Sequence, residues 1–340
     1  MTLQNGFMRV LFFLVASLFM TSLYGQGILQ RQNFPRGNQG QDNSNAKSNN
    51  VKDFVRPPIE DYKIISIKGD TTTVDTSLTI AKEYKFNYLR RDRYKLLPFG
   101  NTGQTHNTLV YDFNKSSSMP LSPAQARHFN YMTVEDIKYY HVPTPVTDLY
   151  FRSAYEQGQQ LDAFFTINTS PRLNFSLAYK GLRSLGKYQN ALTSTGNFRS
   201  AVSYRTKNNR YQLRAHWVAQ DLLNQENGGL TEQAITQFSS NDGQFDDRSL
   251  LEVNFQDAEN ILDGTRVYLN HFYNIIEKKD SLSDYSLKIG HVFNSENKFY
   301  EYRQNAANAI FGEAFDDGSF TDRVDHEETF NELYVTYKDR

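Results

Sequence analysis

The chain has 340 residues, 37 basic against 38 acidic, and no cysteine. Such a balance makes no electrostatic case for nucleic acid, and the missing thiol excludes disulfides, thiolate metal sites, thiol nucleophiles and a lipidated cysteine. No run of about 20 apolar residues follows the N-terminus, which excludes a later membrane helix but not a membrane barrel, whose strands are only about 9–11 residues long and half polar.

Residues 8–26 read MRVLFFLVASLFMTSLYGQ: Arg9, an apolar run from Val10 to Met20, then small and polar residues. This is the pattern of a secretory signal peptide over 1–25, cut between Gly25 and Gln26, because the run is too short for a spanning helix. Residues 26–56, rich in Asn, Gln, Gly and Ser with little to bury, read as a disordered leader. KIISIKGDTTTVDTSLTI (63–80) is β-branched around Gly69-Asp70 and predicts a small hairpin. The rest of 57–145 is aromatic and broken by Pro98, Pro120, Pro123, Pro143 and Pro145, so a periplasmic region of short strands and turns is expected there.

From 146 to 340 the sequence alternates with period two. Ten strands are predicted, at 147–156, 161–169, 172–180, 197–206, 210–219, 249–257, 265–276, 284–294, 297–303 and 329–338. The links at 170–171, 207–209, 258–264 and 295–296 are short, whereas 181–196, 220–248 and 304–328 are long, with the shorter 277–283 in phase with them. With the first strand rising from the N-terminal side, every short link falls on that side and the long links fall on the other. Only 157–160 is shorter than its side predicts. Short periplasmic turns and long external loops are what an outer-membrane barrel requires.

In FRSAVSYRTKNNRYQLRAHWVAQ (198–220), Phe198, Tyr204, Tyr211 and Trp217 share one parity, and Phe175 and Tyr179 take the matching one in 172–180. These six rings are candidates for lipid contact, arranged as two girdles. The same aromatics could instead fill the core of a soluble sandwich. The opposite parity carries Arg199, Arg205 and Arg214, candidates for a basic lumen patch favouring anionic solutes, or else a plain solvated face.

The strings EYKFNYLRRDRYKLLPFGNTGQTHNTL (83–109), EQGQQLDAFFTINTSPRLNFSLAYKGLRSLGKYQN (156–190), TSTGNFR (193–199), TKNNRY (206–211) and QDLLNQENGG (220–229) resemble the putative porin family of Bacteroidetes. The resemblance implies an all-β, transmembrane, antiparallel up-and-down β-barrel in the outer membrane. It also implies membrane lipid and small hydrophilic solutes as partners, and passive solute passage. Members of that family are longer than this chain, and TYKDR (336–340) lacks the look of a closing strand, so an incomplete set of strands is expected. Closure of the ten strands as a narrow, filled barrel is the other possibility.

No phosphate-binding loop, dinucleotide fingerprint, zinc-protease motif or nucleophile elbow is present, so neither an enzyme nor a cofactor is expected. The seven histidines do not take metal-ligand spacing. NDGQFDD (241–247) and DDGSFTD (316–322) are acidic, but neither keeps the spacing of a Ca²⁺ loop. The competing class is a secreted β-sandwich that binds carbohydrate or protein, with the aromatics as core or platform.

Overall fold

The computed structural model describes residues 56–77, 79–111, 129–154, 158–240, 242–280, 283–306, 308–314 and 319–339. The predicted signal peptide and nearly all of the predicted leader lie outside them, as do residues 241 and 316–318 of the two acidic stretches. Five short strands come first: β1 (Lys63–Ile65), β2 (Thr71–Thr73), β3 (Leu96–Pro98), β4 (His106–Thr108) and β5 (Tyr139–His141). β1 and β2 form the expected hairpin, with Gly69 in the turn at φ 96°, a conformation that glycine adopts without steric cost. β5 pairs with the free side of β1, and β3 pairs with β4.

Eight long strands follow. They are β6 (Val146–Ala154), β7 (Gly158–Ser170), β8 (Leu173–Ser184), β9 (Thr193–Arg205), β10 (Tyr211–Glu226), β11 (Ala258–Asp280), β12 (Ser283–Gln304) and β13 (Phe320–Asp339). Each pairs antiparallel with the next, giving one up-and-down sheet in the order β6 to β13. Its outer strands β6 and β13 do not pair with one another, so the sheet is open rather than closed into a barrel.

Two of the ten predicted strands are absent as such. Residues 249–257 do not join the ladder: only an isolated bridge, Leu230 to Val253, forms there. Leu251, Val253 and Phe255 are nonetheless buried alternately, which is why the segment imitates a strand. Its partners are 227–230, since Asn254 N–H donates to Gly229 O and the Asn254 amide to the carbonyls of Gly228 and Leu230. Residues 284–294 and 297–303 are one strand, β12, because Ser295 and Glu296 pair with Val267 and Arg266 instead of turning. The 258–264 link is likewise part of β11, which pairs with β12 as far as Asp280 and Ser283, so the link predicted at 277–283 on the long-link side falls instead on the side of the short links.

With those corrections the alternation of link lengths survives. The links 171–172, 206–210 and 281–282 lie on the side where β6 begins, and 185–192, 227–257 and 305–319 on the other, with 155–157 still the short exception. The 227–257 link carries a helix, α1 (Glu232–Ser239), whose first turn is capped by the Thr231 hydroxyl accepting from Ala234 N–H.

Candidate functional site

Because side chains alternate along each strand, the sheet has two faces of opposite chemistry. One face carries Asn174, Ser176, Lys180, Thr195, Asn197, His216, Gln220, Asn224 and Arg266, all buried. The other carries Leu149, Phe151, Phe165, Phe175, Leu177, Tyr179, Val267, Leu333, Val335 and Tyr337, all exposed. Neighbours in sequence make the contrast plain: Asn174 is 3% exposed and Phe175 43%, Lys180 6% and Tyr179 45%. A sheet built for water buries its oily face and wets its polar one. Here the polar face is covered and the oily face is bare.

The cover is the N-terminal segment. Three hydrophobic clusters join it to the polar face: Ile137 and Tyr139 with Ala201 and Val218, Tyr88 and Leu89 with Leu182, and Tyr131 with Leu222 and Leu262. A single turn, Val134–Asp136, places two of the central contacts, closed by a capping box in which Thr133 and Asp136 bond each other reciprocally. Just before it, Met132 is held by its backbone: its N–H donates to Gln220 Oε1 at 2.9 Å, and its carbonyl accepts from Gln220 Nε2 at 3.1 Å and Arg266 Nη1 at 2.9 Å. The adjacent Tyr131 ring lies over Gly264, where any Cβ would overlap it, and its hydroxyl donates to Glu296 at 2.8 Å. Arg266 and Glu296 complete the group as an ion pair at 3.3 Å.

Further contacts span the whole covered face. Tyr139 meets His216 Nδ1 at 2.9 Å, and His216 stacks on Tyr268 with ring centroids 4.9 Å apart. Tyr88 bonds Thr195 at 2.7 Å, and the Lys180 ammonium sits 4.4 Å from the Tyr88 ring centroid, a cation–π contact. Arg90, in the left-handed region at φ 57°, stacks its guanidinium on Tyr150 at 4.0 Å and faces Asp148 and Asp162.

The three predicted arginines lie on this covered face, and each has a partner. Arg199 pairs with Asp162 at 3.5 Å and reaches Met132 Sδ. Arg205 donates to His141 Nε2 at 3.0 Å, and Arg214 donates to Ser66 O at 3.4 Å. The six predicted rings share the bare face. Phe198 and Trp217 approach to 5.5 Å between centroids, Tyr204 and Tyr211 to 6.5 Å. Among the described residues no second sheet covers that face.

The bare face shows a pattern that the ladder registers bring out. Counted from the side where β6 begins, and with Ser200, His271 and His291 inside it, the apolar run on this face ends at Phe151 in β6, Leu161 in β7, Tyr179 in β8, Phe198 in β9, Ala219 in β10, Val267 in β11, Phe293 in β12 and Leu333 in β13, with Leu223, Ile261 and Phe299 standing apart beyond it among polar neighbours. Through the registers, this limit stays level at three of the seven steps and falls back by two residues at the other four. With a rise of about 3.3 Å per residue and strands about 4.8 Å apart, that slant is roughly 40°. Strands that cross a bilayer are tilted by about 35–45°. A flat apolar slab laid across tilted strands produces such a diagonal.

One line of contacts that crosses the band and ends just past its limit is polar. Tyr211, His271, His291 and Asn331 form a chain with contacts of 3.4, 3.2 and 3.3 Å. One set of tautomers, with the proton on Nε2 of both rings, lets each group donate to the next. The row therefore meets its polar needs along the sheet surface, which lowers the cost of placing it against apolar surroundings.

Among the described residues no group of three or more His, Asp or Glu could hold a metal ion. Comparison with protein families matches residues 58–340 to the family described as “Putative porin”. The chain belongs to this family. No curated protein and no solved structure matches it. The family match makes it a porin-like, strand-dominated protein, consistent with transport rather than catalysis, and its sheet supplies that framework.

The cover of this porin-family sheet holds four titratable groups whose burial ties its seating to pH. Burial, then Arg93 and Arg91, holds the His106 imidazole below its ordinary 6.5, and burial, then Arg205 and Lys63, does the same for His141. Burial pushes the Tyr88 and Tyr140 phenols up to about 12 from the ordinary 10.0. For the histidines the unfolded form binds more protons in acid, so their contribution is whole above about pH 6.5 and is lost as pH falls below it. For the tyrosines it is whole below about pH 10 and is lost as pH rises toward 12. Protease resistance of 79–111 and 129–142 in the folded protein should therefore hold level from about pH 6.5 to 10 and fall away on both sides. A profile flat down to pH 4 would show that the histidines do not report on this contact.

Proposed function

We propose that the protein is an outer-membrane porin that lets small hydrophilic solutes diffuse passively through a β-barrel. In this reading the bare apolar face meets lipid, with Phe175, Tyr179, Phe198, Tyr204, Tyr211 and Trp217 in its band, and the polar face turns toward the lumen. The observation that carries it is the diagonal apolar limit across β6 to β13. Scattered surface apolars would not follow strand tilt, and a sandwich core would be covered rather than bare. The mechanism needs no catalytic group: a water-filled path along polar side chains replaces the hydration that solutes would lose in lipid.

Backbone groups left unpaired in hydrocarbon cost several kcal/mol each, so the membrane form pairs the open sides of β6 and β13. The predicted export signal supplies the route out of the cytoplasm, and the long links 227–257 and 305–319 are the external loops of this reading. The test combines fractionation with conductance. The protein should stay in the outer-membrane pellet after a high-salt wash, run faster on a gel before heating than after, and give discrete current steps in planar bilayers. Release by salt alone would end the membrane reading, and a membrane-bound protein without current would end the pore.

A further inference from the structure

We infer that the described residues of 58–111 and 129–142 form a fixed constriction seated on the lumenal face of β6 to β12, which leaves the polar strip of β13 open to solute. This rests on the porin reading above and adds what narrows the pore. In a plain barrel, the polar side chains of the inner wall would be hydrated and available to solute. Here they are spent on the chain's own N-terminal segment. Gln220 uses both ends of its amide on the Met132 backbone, Arg266 donates to the same carbonyl, and Thr195 and His216 are taken by Tyr88 and Tyr139.

The contacts also run from one end of the wall to the other. At the side where β6 begins, Val142 N–H donates to Asn168 Oδ1 at 3.0 Å. At the opposite end, Asn101 donates to the carbonyls of Ser184 and Ala191 and accepts from the Ser184 hydroxyl at 2.7 Å. A segment pinned at both ends and along its middle is not a lid, because no single hinge frees it. To move, it would have to unmake buried hydrogen bonds and apolar clusters together.

The cover stops at β12. Glu328, Glu332 and Thr336 of β13 share the parity of the covered wall, being in register with Glu296, Val292 and Lys288, yet they are exposed. Along β6 to β13, the uncovered polar surface a solute can follow therefore lies on this side of the segment. The pore is accordingly narrower than the strand count implies, and its lining is asymmetric.

The natural absence of cysteine makes the test clean. Full-length Ala201→Cys, a wall position beneath Ile137 and Tyr139, and Glu328→Cys, on the uncovered strip, are inserted into planar bilayers and treated with a membrane-impermeant thiol reagent. Glu328→Cys should react within minutes and lose several-fold in conductance, while Ala201→Cys stays unmodified and conducts as before. Modification of Ala201→Cys at a similar rate would overturn the constriction. The pair Asn101→Cys/Ser184→Cys then asks whether the segment moves. Equal currents before and after oxidation fit a fixed constriction, and a current abolished by oxidation and restored by reduction would overturn it. If every variant is folded in the membrane yet none conducts, the porin reading itself fails, a result distinct from either of these.

Discussion

Leu177→Arg should abolish assembly in the outer membrane, whereas Thr329→Arg should assemble like the parent protein. The comparison is sharp because both residues lie on one register row of the same bare face. The row runs Leu177, Ser200, Trp217, Val267, Ser295, Thr329 through successive ladders. On the sheet the two sites share a row and a face, with β8 paired on both sides and β13 on one. On the slanted band they differ: Leu177 lies below the limit that Tyr179 marks in β8, and Thr329 lies beyond the limit that Leu333 marks in β13. An arginine near the midplane of a membrane barrel costs about 2–4 kcal/mol, falling to about 0–1 near the interface. If the face met water, both changes would be exposed surface substitutions worth within about 0.5 kcal/mol. Counting the fraction of each variant that shows heat-modifiable mobility in the membrane pellet settles the matter. Equal assembly of the two variants would remove the diagonal as evidence for lipid.

What could be read from the sequence, and what could not, follows from how local each signal is. Period-two alternation is set by neighbours two residues apart, so β6 to β10 stand close to their predicted positions, and the long links stayed on one side of the sheet although 258–264 and 295–296 proved not to be links and 277–283 changed side. The two missed strands show the limit of that signal. At 249–257 the alternation is real and buried, but its hydrogen bonds go to 227–230, a choice fixed by Gly228, Gly229 and Asn254 rather than by hydropathy. At 295–296 a polar pair resembled a turn because Ser295 lies beyond the apolar limit while Glu296 points to the polar face, so both parities turn polar together. That coincidence comes from strand tilt, which one strand cannot display and eight in register can.

The predicted arginines illustrate a longer-range blindness. Arg199, Arg205 and Arg214 do share a face, as their parity requires, but their partners are Asp162, His141 and Ser66, 37, 64 and 148 residues away. Nothing local in 198–220 announces that a segment more than 50 residues upstream lies across it. A hint did exist in 57–145, which is aromatic without periodicity. A segment that must fit an irregular polar wall has no reason to repeat.

The largest loss of stability from a single side chain on the covered face is expected at Glu296. The Arg266 side chain is 2% exposed and that of Glu296 10%, and among the described residues Arg266 Nε and Nη2 have no hydrogen-bond partner. The carboxylate is thus the counter-charge for a guanidinium that burial has stripped of water. Removing one member of a buried pair typically costs about 3–5 kcal/mol, because the other is left charged and dry, whereas replacing both with apolar groups is often near neutral. The two single changes should not be symmetric. In Arg266→Met, Glu296 keeps the Tyr131 hydroxyl at 2.8 Å and Lys298 at 3.8 Å, so it remains solvated by the protein. In Glu296→Leu, Arg266 keeps only the Met132 carbonyl, and the Tyr131 hydroxyl loses its acceptor at the same stroke. Urea unfolding in detergent, followed by loss of the fast-migrating form, should rank Glu296→Leu as the least stable and Arg266→Met as intermediate. The double variant should recover at least half of the loss at Glu296, with a coupling energy of about 1–3 kcal/mol. Additive losses would mean that the two side chains act independently, and that water reaches Arg266 beneath the N-terminal segment.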